Sequence, residues 1–248
     1  MHSPCALTSQ LALHSPLQVP PQLADLVMRC LEKDPARRYQ SAADLSLDLR
    51  RPRSSAPAVR RRLPNGDWVV EDEAEVRNLR MIAGKVMMDR HCPDFLCDTA
   101  ERGALESEEL IGRWHNHGRS QYAITPRFAP TSTEAQMELA GALARKYPDT
   151  YLQTHVSENE DECKWVQQLY PNARSYLDVY DHYGMLRPRA VFGHCIWLDE
   201  QDRARMAETG SAAAVCPTSN LFLGSGLFDF ERADQAGMLM ALATDVGA

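Results

Sequence analysis

Short apolar runs that alternate with helical patterns fill the sequence after residue 80, and they constrain the fold more than any other feature. The apolar runs predict strands at residues 81–88, 122–128, 151–156, 190–196, 211–216 and 238–246. Helical patterns lie between them, at residues 105–117, 133–147, 160–170 and 200–209. Strands that are apolar on both faces and alternate with helices form a parallel sheet covered by helices. We therefore predict an α/β fold with about six strands, an incomplete (β/α)8 barrel of the TIM type.

The first 50 residues differ in character and predict a short helical segment ahead of the barrel. Leu23, Val27 and Leu31 have the spacing of one face of an amphipathic helix. Residues 31–45, L-E-K-D-P-A-R-R-Y-Q-S-A-A-D-L, resemble the last helical part of a serine/threonine protein kinase domain, in which an arginine at the position of Arg38 pairs with a glutamate far upstream. The nucleotide loop and the catalytic loop of kinases are absent from the sequence, so we expect no phosphoryl transfer.

The segment between this helical part and the barrel is predicted to be a linker. Residues 51–62, R-P-R-S-S-A-P-A-V-R-R-R, are rich in Pro, Ser and Arg and show no periodicity. We therefore divide the chain into a kinase-tail-like helical segment at residues 1–50, a flexible linker and lead-in segment at residues 51–79, and a partial barrel at residues 80–248.

Charge, hydropathy and cysteine usage narrow the classes of function. The formal net charge of −7 argues against nucleic acid as a partner, because phosphate binding needs a basic surface. No run of about 18 apolar residues occurs, so no membrane span is expected. The 7 cysteines are an odd number without a C-x-x-C pair, which favours free thiols in a reducing cytosol. We expect a cytoplasmic protein.

Polar side chains follow three of the predicted strands. The strand at residues 151–156 carries His155 and is followed by Glu158, a later strand ends near His194, and the last one ends near Asp245. In a (β/α) barrel, the C-terminal ends of the strands carry the active site. Neutral imidazole and carboxylate groups are good zinc ligands. The sequence therefore predicts a zinc site at this edge of the sheet.

Five motifs lie along the predicted barrel: K-V-M-M-D-R at residues 85–90, I-T-P-R-F-A-P-T at 124–131, T-H-V-S-E-N at 154–159, C-P-T-S-N-L at 216–221 and T-D-V-G at 244–247. Together they resemble guanine deaminase, a family of the amidohydrolase superfamily. The combination of T-P-R-F with H-V-S-E-N separates this family from other amidohydrolases. The resemblance implies a zinc-dependent hydrolase of purine catabolism that converts guanine and water to xanthine and ammonia.

The resemblance also implies roles for the residues at the strand ends. His155, His194 and Asp245 would bind Zn²⁺, and His194 and Asp245 would also take part in catalysis, with Asp245 accepting a proton from the attacking water. Glu158 would carry protons to the purine ring and to the leaving amino group. A positioned carboxyl group suits this work, because ring nitrogen and leaving group must each gain a proton.

Two further residues would bind the substrate. Arg127 would hydrogen-bond the edge of guanine, for which its planar fork of donors is well shaped, and Phe128 would pack on the purine. The family resemblance also implies a homodimer.

One part of the family pattern is not found in its place. Amidohydrolases carry an H-x-H pair of metal ligands at the end of the first barrel strand, and no such pair precedes Met81. An H-x-H does occur at His115-Asn116-His117, at the end of a predicted helix. Residues i and i+2 of a helix point in different directions, so we do not expect this pair to share a metal ion. We expect a chain that is truncated at both ends relative to the family.

Two alternatives to guanine deamination stay open. One is a related amidohydrolase that deaminates another amino-heterocycle, such as a triazine or a pterin, although Arg127-Phe128 favours guanine. The other is a non-catalytic truncated or chimeric fragment, which would not need stoichiometric zinc.

Overall fold

A computed structural model describes residues 60–62, 68–70 and 78–245 of the chain. The chain divides into two compact units, Met1–Glu71 and Asp72–Ala248. The helices and the kinase-like motif predicted within residues 1–50 lie outside the described residues.

A small antiparallel pair of strands is the described part of the first unit. Strand β1 (Arg60–Arg62) pairs with β2 (Trp68–Val70), so residues 60–62 form a strand where the composition suggested an irregular linker.

A parallel sheet forms the centre of the second unit. Its strands are β3 (Met81–Ala83), β4 (Val86–Met87), β5 (Ser120–Pro126), β6 (Tyr151–Val156), β7 (Ala190–His194), β8 (Ala212–Val215) and β9 (Leu239–Leu242). Their order across the sheet is β3-β5-β6-β7-β8-β9, and β4 pairs with β5 beyond the end of β3. Because β3 and β4 occupy one position, the sheet has the six positions of the predicted incomplete barrel, and this prediction is confirmed.

The interruption between β3 and β4 has a steric cause. A Cβ at Gly84 would lie 1.7 Å from the carbonyl oxygen of Ala123 on β5, so the chain passes closer to β5 here than a side chain allows. The backbone N–H of Lys85 donates to the Tyr122 hydroxyl, 3.1 Å away, instead of to a sheet partner. The single strand predicted at residues 81–88 is therefore two short strands.

Helices follow the strands and cover one face of the sheet. They are α1 (Ala100–Trp114), α2 (Glu134–Lys146), α3 (Glu160–Leu169), α4 (Tyr176–His182), α5 (Glu200–Thr209), α6 (Pro217–Leu223) and α7 (Phe230–Gln235). The sequence predicted α1, α2, α3 and α5, and it missed the three shorter helices. Among the helices of the described residues, none combines the length and the apolar character that a membrane crossing requires.

The two faces of the sheet differ in burial. Along β6, Leu152, Thr154 and Val156 are buried, whereas Gln153 between them is exposed. On the buried face, the ring of Phe192 in β7 packs 5.6 Å from the ring of Tyr180 in α4. The main core therefore lies between the sheet and its helices, and the opposite face is open at the level of Gln153.

Candidate active site

Two histidines and an aspartate meet at the C-terminal edge of the sheet. His155 is the penultimate residue of β6, His194 is the last residue of β7, and Asp245 follows β9. One ligand atom from each of the three lies within 4.8 Å of the others. The imidazole rings of His155 and His194 are stacked, with 5.4 Å between their centroids. The three residues also line one cleft of about 460 Å³.

The ring of His155 is oriented by the main chain of the neighbouring strand end. Its Nδ1 lies 2.7 Å from the carbonyl oxygen of Arg127, which can only accept, so Nδ1 carries the proton and Nε2 is left with its lone pair. Burial lowers the pKa of His155 and outweighs the hydrogen bond to the Arg127 carbonyl oxygen, which acts in the opposite direction. The neutral imidazole that a metal ion requires is thus the favoured form.

The ring of His194 is held by a side chain. Its Nδ1 lies 2.9 Å from the Oδ1 of Asn220 in α6, and both residues are buried. Its Nε2 lies 3.6 Å from Glu158 Oε2 and 4.0 Å from Asp245 Oδ2. His194 therefore presents Nε2 to the two carboxylates of the site.

The two carboxylates accept hydrogen bonds from the same region as Asn220. The Ser219 hydroxyl donates to Asp245 Oδ2 at 2.6 Å, and the Ser225 hydroxyl donates to Glu158 Oε1 at 3.3 Å. Each carboxylate is thus oriented by a hydroxyl on one oxygen.

Positive backbone φ angles occur at residues of this site and next to them. Ser157, His194 and Asp245 have φ angles of 51°, 68° and 52°, which non-glycine residues adopt rarely. Strained torsions of this kind concentrate at functional sites, where the surrounding structure holds them. At Ser157, the carbonyl oxygen accepts from the N–H groups of Ile196 and Trp197, both at 3.0 Å, which ties the segment before Glu158 to the segment after β7.

Arg127 and Phe128 lie next to the cluster. The guanidinium carbon of Arg127 is 4.5 Å from the centroid of the Phe128 ring, and that ring meets His155 edge to face at 6.4 Å. The Arg127 side chain is exposed and the Phe128 ring is partly exposed. A flat ligand at the site could therefore contact both.

The H-x-H motif lies at the opposite edge of the sheet. His115 accepts from the N–H of Tyr122 near the start of β5 at 3.1 Å, and its Nε2 lies 3.0 Å from Asp149, just before β6 begins. These contacts belong to the N-terminal ends of the strands, so His115 joins α1 to the sheet and is remote from the cluster in the topology.

Sequence reasoning missed Ser219, Asn220 and Ser225. Ser219 and Asn220 lie in the motif C-P-T-S-N-L, and Ser225 lies four residues beyond it. A signal was present, because Ser219 and Asn220 are polar residues that directly precede the apolar run Leu221-Phe222-Leu223.

A parallel sheet of barrel type with two histidines and an aspartate at its C-terminal edge defines a class of fold, the partial α/β barrel with a candidate metal site. A sequence model of the amidohydrolase family, whose members are metal-dependent, matches residues 66–248. The chain belongs to this family.

Its relatives include guanine deaminases. The guanine deaminase of Escherichia coli (strain K12) is 55% identical over 171 residues, which are 69% of this chain and 39% of that protein. The solved structure of the E. coli guanine deaminase has a TM-score of 0.69 at 54% identity, and the alignment covers 70% of this chain and 41% of that one. The guanine deaminase of C. acetobutylicum, solved with bound guanine in its active site, has a TM-score of 0.63 at 32% identity, with coverage of 66% and 39%. The chain thus spans about two fifths of the length of these relatives.

Proposed function

We propose that this chain carries the metal-binding and proton-transfer residues of a guanine deaminase, which converts guanine and water to xanthine and ammonia. The observation that carries the proposal is the cluster of His155, His194 and Asp245 with Glu158 Oε2 only 3.6 Å from His194 Nε2. The relatives described above support guanine as the substrate.

The donor set fits zinc. Two imidazoles with occupied Nδ1 atoms and one carboxylate offer two nitrogens and an oxygen, and catalytic zinc sites commonly use three such protein ligands. His155, His194 and Asp245 would hold the ion. Bound zinc supplies a water whose pKa is lowered to about 7, and hence a strong nucleophile at neutral pH.

Glu158 and Asp245 handle the protons in this proposal. Asp245 accepts a proton from the attacking water, and Glu158 donates one to the ring nitrogen beside the carbon under attack. The oxygen now bonded to the carbon gives its remaining proton to Glu158, and Glu158 passes it to the amino group, which leaves as ammonia while the carbon keeps the oxygen as a carbonyl. The proton on Asp245 then returns to Glu158, so both carboxyl groups are restored. The Nε2 of His194 lies 3.6 Å from Glu158 and 4.0 Å from Asp245, so a metal ion held by this nitrogen would lie beside both proton-transfer groups, and this is the part that His194 takes in catalysis.

Arg127 and Phe128 bind the purine. The guanidinium offers parallel donors to the carbonyl oxygen and to N7 on the same edge of guanine, both of which are acceptors. The Phe128 ring packs on the purine, and its contact with His155 places this ring beside the metal ligands. A substrate held in this way presents its amino-bearing carbon to the cluster.

We also propose that the protein is cytoplasmic and forms a homodimer, as the family resemblance implies. A nucleic-acid partner is not expected, because the net charge is −7. We keep the division into a kinase-tail-like segment at residues 1–50, a linker at 51–79 and the barrel at 80–248.

A turnover assay tests the proposal. The purified chain, loaded with zinc, is supplied with guanine, and the formation of xanthine is followed by ultraviolet absorbance. We expect turnover that falls by about 100- to 10,000-fold in Glu158→Ala, because general acid–base catalysis contributes that much. Glu160→Ala is the matched control, since Glu160 is an exposed glutamate two residues further along the chain.

Three results would contradict the proposal. Absence of turnover by a folded, zinc-loaded chain would favour a non-catalytic fragment. Turnover of an aminotriazine or a pterin but not of guanine would favour the related amidohydrolase. Equal turnover in Glu158→Ala and the wild type would exclude the role of Glu158.

A further inference from the structure

Helix α6 and the turn after it contact the site through three different side chains. Ser219 donates to Asp245, Asn220 bonds His194, and Ser225 donates to Glu158. By contrast, the apolar side chains of Leu221–Leu223 in the same helix are exposed. The polar residues of this short segment, and not its apolar ones, therefore face the reacting groups.

The backbone holds this segment in one conformation. Gly224 ends α6 with a left-handed φ of 70°, and the N–H of Ser225 then donates to the carbonyl oxygen of Asn220 at 2.9 Å. Gly226 follows with a φ of 134°, and a Cβ there would meet Ile196 at 3.0 Å. The turn is thus fixed against the chain that leaves β7, so that Ser219, Asn220 and Ser225 keep a defined spacing.

The contact between Asn220 and His194 has a chemical consequence beyond packing. The Asn220 oxygen can only accept, so at 2.9 Å the His194 Nδ1 must carry the hydrogen. In a neutral imidazole the other nitrogen then has the lone pair. That nitrogen, Nε2, faces Asp245 and Glu158. Asn220 and His194 are 2% and 1% exposed, so water does not replace the contact.

We propose that Asn220 is a positioning residue that fixes His194 as its Nδ1–H tautomer, with Ser219 and Ser225 orienting Asp245 and Glu158 from the same segment. The lone pair of Nε2 is thereby ready for the metal ion before the ion arrives. This inference deepens the proposed function and rests on its metal site.

Nuclear magnetic resonance of the full chain with ¹⁵N-labelled histidine tests the tautomer directly. The metal-free wild type is measured at a pH where His194 is neutral, and His194→Gln identifies its signals. We expect a proton on Nδ1 and none on Nε2. A proton on Nε2 in the wild type would overturn the proposal, and this measurement does not depend on the folding of an Asn220 variant.

Two substitutions of Asn220 separate positioning from packing. Asn220→Asp keeps an acceptor oxygen, whereas Asn220→Leu has a similar size and no acceptor. We expect Asn220→Asp to keep the tautomer and to bind zinc within a few-fold of the wild type, and Asn220→Leu to lose the tautomer preference and to bind zinc about 10- to 100-fold more weakly. Equal zinc affinity and the same tautomer in Asn220→Leu would overturn the proposal.

The outcomes distinguish this inference from the proposed deaminase. Wild-type protein with the Nδ1–H tautomer and tight zinc binding but no action on guanine would contradict the deaminase and support the positioning role. Guanine turnover in a protein whose His194 carries its proton on Nε2 would support the deaminase and contradict the positioning role of Asn220.

Discussion

Replacing Glu162 by Gln is expected to stabilise the protein at alkaline pH. Glu162 lies in the first turn of α3, and its Oε1 is buried without a hydrogen-bond partner among the described residues. Burial raises its pKa from 4.5 to about 7, and the negative charge of Glu158 adds to this rise. A helix N-terminus favours a carboxylate by only about 0.3–1 kcal/mol, so burial outweighs it here.

The magnitude follows from the pKa. A rise from 4.5 to about 7 corresponds to an upper limit of about 3 kcal/mol. Because the folded protein binds this proton more tightly than the unfolded chain, the stabilisation is complete below pH 4.5, declines as the pH rises, and is lost above about pH 7. Gln has the shape of the protonated acid and does not ionise, so Glu162→Gln avoids this loss.

Urea denaturation at pH 5 and pH 8 measures the effect. The free energy of unfolding of the wild type should fall relative to that of Glu162→Gln by about 1–3 kcal/mol between the two pH values. Glu160→Gln, an exposed position on the same helix, is the control and should show no such difference. A constant difference between the wild type and Glu162→Gln at both pH values would refute the reasoning.

Three further perturbations test the helix packing, the substrate contact and the metal site. Gly141→Ala should lower the Tm despite the better helix propensity of alanine, because its Cβ would lie 2.2 Å from the Tyr183 carbonyl oxygen, whereas Gly112→Ala, with nothing within 4 Å, should raise it. Arg127→Met should raise the KM for guanine by about 10- to 100-fold in steady-state kinetics and leave the zinc content unchanged. Zinc at about 100 times its Kd should stabilise the wild type by about 2.7 kcal/mol in thermal unfolding, and His155→Ala should remove most of that gain.

Much of the sheet could be predicted from the sequence because its strands are apolar and separated by long helical patterns. The helices α4, α6 and α7 were missed since they are short, and in α6 three consecutive apolar residues are exposed, so that no helical period appears. The break at Gly84 also escaped the sequence, because it depends on the approach of Ala123 from another strand.

Part of the site could also be predicted, because the apolar strands locate the strand ends that carry its side chains. His155 and His194 lie at the C-terminal ends of strands and Asp245 follows one, and parallel strands bring these ends to one edge. Their roles stay predictions, although the geometry brings them together. The contacts of Ser219 and Asn220 link residues 26 positions apart and depend on how α6 returns to the strand ends, so no local pattern reports them.

The central claim is that His155, His194 and Asp245 hold a zinc ion, and a crystal structure of the zinc-loaded chain with an anomalous difference map at the zinc edge tests it most directly. We predict one strong peak about 2.0–2.1 Å from the Nε2 atoms of both histidines and about 2.0–2.2 Å from an Asp245 oxygen. A peak at other residues, or none at this cluster in fully zinc-loaded protein, would contradict the account.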